Sequence, residues 1–435
     1  MADDQSLSIP HRILRFSTSN ATWILGTLSL IFLVSTISLA AVGQKQKILD
    51  NTTYVSPTDS PIEPSTPLSP TEPTTTVLPV CNDPPLADRF NCHPENNVSL
   101  DACEERGCCF NNVTDATNEV PVCYFPQNFE GYSMKVLSQS DYQILLSLKR
   151  QRRSGFPDDV ENVMLNVEFV NDNLIRMKFT DTSARRWEVI TPLSLSLNYT
   201  NSKNFLYDVS LSPTGLLKIV RKSTEVVLIQ TDLRRLIYSN QFIQIDWSVP
   251  SEYIYGLSEH KVQLRQNVAW NKYTIFNRGG QPRDSCLKPG INMYGTHPMY
   301  MMVEDSKGNA HGVFLHNSNA IDVVLQPGSL TWRVIGGVLD FFVYLGPSPR
   351  DVVKQHASLI GKPFLPQYWT LGFHLSRYGY NSTNATVEAY DRTINASIPI
   401  DCQWNDIDVF DMRNDFTYVE YVMFVILNFS CLFLL

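Results

Sequence analysis

The feature that most constrains this chain is a run of six cysteines, which holds two thirds of its nine cysteines. Their spacing is C-x10-C-x10-C-x4-C-C-x13-C, from Cys81 to Cys123. A tetrahedral zinc site would use C-x2-C pairs, which the run lacks, whereas adjacent cysteines suit crossed disulfides. We therefore expect disulfides and no metal. So small a module buries too little apolar surface to fold alone, and each disulfide adds roughly 2–4 kcal/mol.

Six cysteines allow fifteen pairings, and the spacing alone does not choose among them. The spacing, with Gly107-Cys108-Cys109-Phe110 and Cys123-Tyr124-Phe125-Pro126, resembles the trefoil (P-type) module, which would occupy residues 81–126. The resemblance implies the pairs Cys81–Cys109, Cys92–Cys108 and Cys103–Cys123. Trefoil modules occur in secreted mucosal peptides and in intestinal disaccharidases, so this one indicates an oxidising compartment and makes mucins a candidate partner.

An uncharged apolar segment, residues 21–42, precedes this module. It is long enough for a helix to cross about 30 Å of hydrocarbon, so we interpret it as a signal-anchor. The alternative is a cleaved signal peptide, because Ser38-Leu39-Ala40 resembles a cleavage site. The polar residues 1–20 in front of the segment favour the anchor and would form a cytosolic tail.

The orientation of the anchor follows from what lies beyond it, since the flanking positive charges are balanced. All nine cysteines and eight N-x-S/T sequons follow residue 42. Disulfides and N-glycans both form in the lumen, so we expect a single-pass type II membrane protein with a luminal or extracellular ectodomain at the apical plasma membrane. The predicted glycosylation sites are Asn51, Asn97, Asn112, Asn198, Asn381, Asn384 and Asn395; the eighth sequon is at Asn428.

Residues 43–80 read as a Ser/Thr/Pro-rich stalk, because such a composition favours extended chain over a packed core. The stalk would be either an O-glycosylated spacer or an undecorated linker. The formal charge of the whole chain is −8, which gives no basic surface for nucleic acid.

Residues 127–365 show short alternating runs separated by turn residues, which predicts a large antiparallel β-sandwich. One hairpin runs from Val163 to Phe179 around the turn Asn171-Asp172-Asn173, and further strands cover 217–220, 226–229 and 242–247. A helix from Pro349 to Ile360 would close the domain, with Ser348 as its N-cap and Gly361 after its last turn. His356 on this helix is interpreted as a packed histidine and not a catalytic one.

From Tyr255 onward the chain resembles glycoside hydrolase family 31, and within it the intestinal-type α-glucosidases. The resemblance implies a mutarotase-like sandwich, a catalytic (β/α)8 barrel, retaining hydrolysis of α-1,4-linked glucose from maltose and starch oligosaccharides, and no cofactor. A sandwich loop with the family pattern F-x-R-D reads Phe276-Asn277-Arg278-Gly279 here, so its carboxylate is missing and Asp284 is a weak substitute. The motifs that carry the resemblance are Tyr255-Gly256-Leu257 with Glu259-His260, Tyr294-Gly295-Thr296-His297-Pro298, Gly312-Val313-Phe314-Leu315 with Asn317-Ser318-Asn319-Ala320, and Gly336-Gly337-Val338-Leu339-Asp340-Phe341.

Residues 366–420 read as the incomplete start of that barrel. The pattern predicts a strand over 369–376, a helix that packs through Val387, Tyr390 and Ile394, and a second strand over 398–404. Residues at the carboxyl ends of parallel barrel strands line the active site. The resemblance assigns Tyr378, Asp406 and Ile407 to the sugar pocket.

The carboxylates Asp406 and Asp408 could be taken for a catalytic pair or for residues that cap a loop. We disfavour a catalytic pair, because a retaining pair flanks the bond at about 5–5.5 Å from different strands, and the capping role stays open beside the sugar-pocket assignment. The family's W-x-D-M-N-E nucleophile motif is absent, and a closed barrel takes about 250 residues. We therefore expect a truncated form without hydrolytic activity; the alternative is a non-catalytic membrane glycoprotein that binds mucin or glycans. The hydrophobic tail 421–435 would be an alternative exon or retained intron end, or a second membrane crossing.

Overall fold

The computed structural model describes residues 79–82, 84–112, 119–194, 204–279 and 291–417. The apolar segment 21–42, residues 43–78 of the stalk and the tail 421–435 lie outside these ranges. No helix within them is both long and apolar enough to span a bilayer. The signal-anchor therefore stays a prediction.

The cysteine-rich module is a small disulfide-bonded domain with little regular structure. Its helix α1 is capped by the Ser99 hydroxyl, which accepts a hydrogen bond from the Ala102 amide. The three disulfides join the pairs that the trefoil resemblance implies, Cys81–Cys109, Cys92–Cys108 and Cys103–Cys123. The regular elements of the domain are α1 (Leu100–Glu105), β1 (Cys109–Phe110) and β2 (Cys123–Tyr124).

Two eight-stranded antiparallel sheets form the predicted sandwich. The first sheet has the order β12-β14-β15-β18-β6-β5-β4-β3, and the second β13-β16-β17-β11-β9-β8-β7 with β10 beside β11. The strands are β3 (Tyr132–Gln139), β4 (Gln143–Arg150), β5 (Asn162–Asn171), β6 (Leu174–Asp181), β7 (Tyr207–Leu211), β8 (Leu216–Arg221), β9 (Val227–Asp232), β10 (Ile237–Tyr238), β11 (Ile243–Ser248), β12 (Tyr253–His260), β13 (Asn271–Ile275), β14 (Asn292–Val303), β15 (Ala310–Leu315), β16 (Ile321–Gln326), β17 (Ser329–Val334) and β18 (Leu339–Tyr344).

The hydrophobic core fills the space between the two sheets. In the predicted β5–β6 hairpin, Val163, Leu165 and Val167 alternate along β5 and are fully buried, as a two-residue period requires. β18 differs because all six of its residues are buried. Its outward side chains, among them Phe342 and Tyr344, are covered by a helix on the outer face of the first sheet.

That helix, α2 (Pro349–Ile360), confirms the prediction at both ends. Ser348 and Asp351 form a reciprocal capping box at its start, and Gly361 follows its last turn with a φ of 91°. Val352 and Leu359 bury its inner face against β18. α2 therefore connects the sandwich to the segment that carries the candidate site.

The disulfide-bonded domain rests on the second sheet through side chains of the sandwich. The Gln244 side-chain amide donates to the Asn91 carbonyl at 2.7 Å, and the Gln326 amide donates to the Ala87 carbonyl at 2.8 Å. The Arg235 guanidinium lies over the Phe90 ring at 4.2 Å. The two hydrogen bonds place backbone acceptors of the small domain on donors from β11 and β16, and Arg235, just before β10, covers one of its aromatic rings.

The last described segment is a β–α–β unit made of β19 (His374–Arg377), α3 (Thr383–Asn395) and β20 (Cys402–Asn405), and its two strands are parallel. A helix at the predicted place is confirmed, but its predicted packing face is not: Val387 and Tyr390 are half-buried and Ile394 is 42% exposed, whereas Thr383 and Ala389 are buried. Both strand predictions were too long. Residues Tyr368–Leu371 form a 3-10 turn, which the Gly372 amide closes by donating to the Trp369 carbonyl. Residues 398–401 are not strand, and Pro399 among them has no N–H for a ladder.

Candidate functional site

The parallel register of β19 and β20 brings the two predicted groups of site residues to one edge. Arg377 pairs with Asn405, so Tyr378 and the Asp406–Ile407 dipeptide leave the sheet side by side. The Tyr378 and Ile407 side chains are 51% and 42% exposed, and Asp406 is half-buried. The structure therefore assembles the three predicted residues on one accessible surface.

An arginine that sequence reasoning missed also contacts this surface. The Arg413 guanidinium lies 5.6 Å from the centre of the Tyr378 ring. A cation in this position orients the phenol ring and adds positive charge beside Tyr378. No pattern around Arg413 marks it, because it follows the strand end by eight residues and reaches Tyr378 only through the fold.

Asp406 caps the short 3-10 helix Ile407–Val409: its Oδ1 accepts a hydrogen bond from the Ile407 amide at 2.7 Å. Both carboxylate oxygens of Asp408 are buried and have no hydrogen-bond partner among the described residues. The two aspartates leave the same strand end and do not face each other from different strands. The capping interpretation of Asp406 is thus the one that this geometry supports.

Beneath the edge lies a stack of three aromatic rings that the sequence did not predict. The His374 ring is 5.7 Å from both the Trp369 and the Trp404 rings, nearly parallel to each. Trp404 Nε1 donates to His374 Nδ1 at 2.7 Å, which places the imidazole proton on Nε2, 3.3 Å from the Trp369 carbonyl. His374 belongs to β19 and Trp404 to β20, so the stack packs along the two strands that end at this edge.

Helix α3 holds the end of β20 through a side-chain hydrogen bond. The Thr386 hydroxyl donates to Asn405 Oδ1 at 3.0 Å, one residue before Asp406. Thr383 and Ala389 bury the inner face of this helix.

The sandwich loop that lacks the family carboxylate is exposed from Phe276 to Gly279. Its start is held by the Asn292 side-chain amide, which donates to the Phe276 carbonyl at 2.5 Å, and by the Arg278 amide, which donates to the Tyr294 carbonyl. A Cβ at Gly279 would meet no atom within 4 Å, so sterics do not demand glycine there. Asp284, the suggested substitute, lies outside the described residues.

His356 behaves as a structural side chain. Its Nδ1 lies 3.0 Å from the Tyr344 hydroxyl, and its ring contacts Phe314. Burial lowers the pKa of His356, and the neighbouring His297 lowers it further. A half-buried ring with a lowered pKa, bonded to a tyrosine of the core, fits the packing role and not proton transfer.

Three cysteine sulfurs, of Cys92, Cys108 and Cys123, lie within 4.8 Å of one another. Each of them belongs to a disulfide, and a disulfide sulfur offers no thiolate for zinc. Their proximity comes from two disulfides that stack in the core of the small domain.

Among the predicted glycosylation sites, five asparagines lie in the described residues and all five are exposed: Asn97, Asn112, Asn381, Asn384 and Asn395. Asn51 and Asn198 lie outside them.

Comparisons with known proteins agree with both domain resemblances. Residues 81–126 match the trefoil (P-type) domain, and residues 363–424 match the TIM-barrel domain of glycosyl hydrolases family 31. The chain is 39% identical over 345 residues to lysosomal alpha-glucosidase of Mus musculus and 37% identical over 343 residues to intestinal sucrase-isomaltase of Homo sapiens. These alignments cover 78% and 77% of the chain but only 35% and 18% of the two relatives.

A solved structure of the glucosidase II alpha subunit superimposes with a TM-score of 0.54 and covers 68% of the chain and 41% of that protein. At 15% sequence identity this likeness concerns the fold alone. The chain therefore spans about a third or less of the length of the curated relatives that we compared.

Proposed function

Because the chain joins a trefoil domain to a region homologous to the glycoside hydrolase family 31 α-glucosidases, we propose that it supplies the N-terminal part of an α-glucosidase. The whole enzyme would release α-1,4-linked glucose from maltose and starch oligosaccharides with retention of configuration. The observation that carries this proposal is the parallel β19–α3–β20 unit, which sets Tyr378 and Asp406 at one edge. In parallel α/β folds, substrates bind at the carboxyl ends of the strands.

We assign the three residues of this edge to one sugar pocket. The exposed ring of Tyr378, backed by Arg413, offers a flat apolar face to a pyranose ring. Asp406 uses Oδ1 to cap its own turn and keeps Oδ2 as a charged acceptor for a sugar hydroxyl. Ile407 adds an apolar contact, and the stack of Trp369, His374 and Trp404 packs along the two strands that end at this edge.

In this proposal the described residues bind the sugar but do not cleave it. Retaining hydrolysis needs a nucleophile and a protonated acid about 5–5.5 Å apart, on opposite sides of the glycosidic bond. Asp406 and Asp408 come from one strand end, and the Asp408 carboxylate is buried. The nucleophile and the acid would come from other strands of a closed barrel. The alternative of a non-catalytic glycoprotein is not favoured by the homology.

We also propose a luminal or extracellular location, with anchoring by residues 21–42 and the apical plasma membrane as the site of action. Three disulfides in one domain support an oxidising compartment. The exposed sequon asparagines support passage through the secretory pathway.

Binding and turnover can be tested separately on the purified 435-residue chain in detergent. We expect maltose to bind, as measured by saturation-transfer NMR and calorimetry, and Asp406→Asn to weaken it about tenfold, the equivalent of one charge-assisted hydrogen bond. Asp411→Asn, an exposed aspartate on the next turn, is the matched control and should bind as wild type.

With a chromogenic α-glucoside we expect no turnover above background. Turnover that Asp406→Ala abolishes would show that a carboxylate of this chain is catalytic. Equal maltose binding by wild type and Asp406→Asn would refute the assignment of the pocket.

A further inference from the structure

Helix α3 presents two sequons on a single face. Its 13 residues contain two asparagines, Asn384 and Asn395, and each begins an N-x-S/T sequon. They are eleven residues apart, which at 3.6 residues per turn is about three full turns. The two side chains therefore point in nearly the same direction, roughly 16 Å apart along the axis.

This face is the one that turns away from the sheet. Ala389 is buried, and Thr386 bonds to Asn405 of β20; both lie well round the helix from Asn384. Asn384 and Asn395 are both exposed. The helix thus separates a face that packs from a face that carries the sequons.

The side chains that lie closest to this face between the two asparagines are charged. Glu388 and Arg392 form an i,i+4 ion pair at 3.8 Å, with side chains 72% and 68% exposed. Asparagine is a weak helix former, so helix propensity does not account for two of them on this face. A polar face without large apolar side chains is unsuited to packing against another domain.

We propose that Asn384 and Asn395 both carry N-linked oligosaccharides and that the outer face of α3 stays uncovered in the complete protein. In the modification, each Asn Nδ2 forms a bond to C1 of the sugar of a lipid-linked oligosaccharide diphosphate. The C1–O bond to the diphosphate breaks, and the amide proton leaves with the lipid diphosphate. Two bulky polar chains on one ridge exclude a second protein surface from it.

This inference rests on the proposed luminal location. The trefoil sequons at Asn97 and Asn112 allow the luminal location and the glycosylation of α3 to be tested separately. They lie on another domain, are also exposed, and report on the compartment alone. Asn414, exposed and outside any sequon, provides the control variant.

The experiment expresses the full chain in mammalian cells and maps each site by release with an N-glycanase in heavy-oxygen water, which marks every formerly occupied asparagine by mass. We expect occupancy at Asn384 and Asn395. Asn384→Gln and Asn395→Gln should each remove one step of electrophoretic mobility, and Asn414→Gln none. We also expect the glycanase to release both glycans from the native protein.

Occupied trefoil sites with a bare α3 would overturn the inference and leave the luminal location standing. A chain without glycans at any site would overturn both. Release from Asn384 and Asn395 only after denaturation would refute the uncovered face.

Discussion

Replacing Glu304 by glutamine tests how far the sandwich depends on one buried ion pair. Arg221 ends β8 in the second sheet, and Glu304 directly follows β14 in the first. Two hydrogen bonds of 2.8 and 2.6 Å join them, and their side chains are 2% and 0% exposed. The pair is therefore an electrostatic link between the sheets, sealed from water.

The expected loss is large because glutamine keeps the shape and removes the charge. The Arg221 guanidinium would retain the Ala310 carbonyl at 2.9 Å as its remaining described acceptor besides the new amide oxygen. Breaking a buried pair and leaving one charge uncompensated costs about 3–5 kcal/mol. We expect the free energy of unfolding of the sandwich to fall by that amount at pH 7.

The size of the loss should depend on pH in a defined direction. Burial alone would raise the pKa of Glu304, but hydrogen bonds from Arg221 and His311 overcome this effect and hold the pKa below its usual value. A depressed folded pKa gives stability that is complete above the unfolded value of about 4.3 and is lost as the pH falls through the folded value. The difference between wild type and Glu304→Gln should therefore shrink below about pH 4.

Urea titration at pH 7 and at acid pH, followed by the fluorescence of the buried Trp247 and Trp332, measures this difference. The matched control is Asp208→Asn, which breaks the exposed pair with Lys222 and should change stability by about 1 kcal/mol or less. A loss at pH 7 no larger than that of the control would refute the reasoning.

Three further changes probe other parts of the fold. Cys103→Ala, which opens the disulfide to Cys123, should cost about 2–5 kcal/mol in the trefoil domain, seen as cleavage by protease at lower urea; an unchanged profile would contradict it. Burial raises the pKa of Asp246 to about 6 despite its bond to Arg235, so the charged form is disfavoured in the folded state. As the pH rises from 4 to 6, the free energy of unfolding of the wild type should fall by up to about 3 kcal/mol relative to that of Asp246→Asn, as measured by urea titration. Parallel pH curves for the two proteins would refute this. Gly256→Ala should lower the melting temperature by several degrees, because φ is +101° and a Cβ would collide with the neighbouring strand; calorimetry that shows no change would count against it.

The sequence predicted the features that depend on local pattern. The β5–β6 hairpin follows from two-residue alternation around an Asn-Asp-Asn turn, and α2 from Ser348, Pro349 and Gly361, each of which acts within a few residues of its own position. The edge formed by Tyr378 and Asp406 was also predictable, because consecutive parallel strands end together.

The features that sequence reasoning missed depend on contacts between residues that are far apart in the sequence. Arg221 and Glu304 are 83 residues apart and meet only when the two sheets face each other. The ring stack under the candidate site needs the register of β19 against β20, and alternation alone does not reveal which rings touch. The start of β19 was predicted too early because the apolar residues around Trp369 suit a 3-10 turn as well as a strand.

Because β18 lies in the middle of the first sheet, that sheet can be completed only late in synthesis. Its partner β6 ends at Asp181, yet β18 begins only at Leu339, so roughly 160 residues must leave the ribosome before the first sheet can close. At 5–20 residues per second this takes about 10–30 s, during which a hydrophobic strand edge stays open. Open edges recruit other chains, so yield in cells should respond to chaperones that shield nascent β-strands more than to the final stability of the domain.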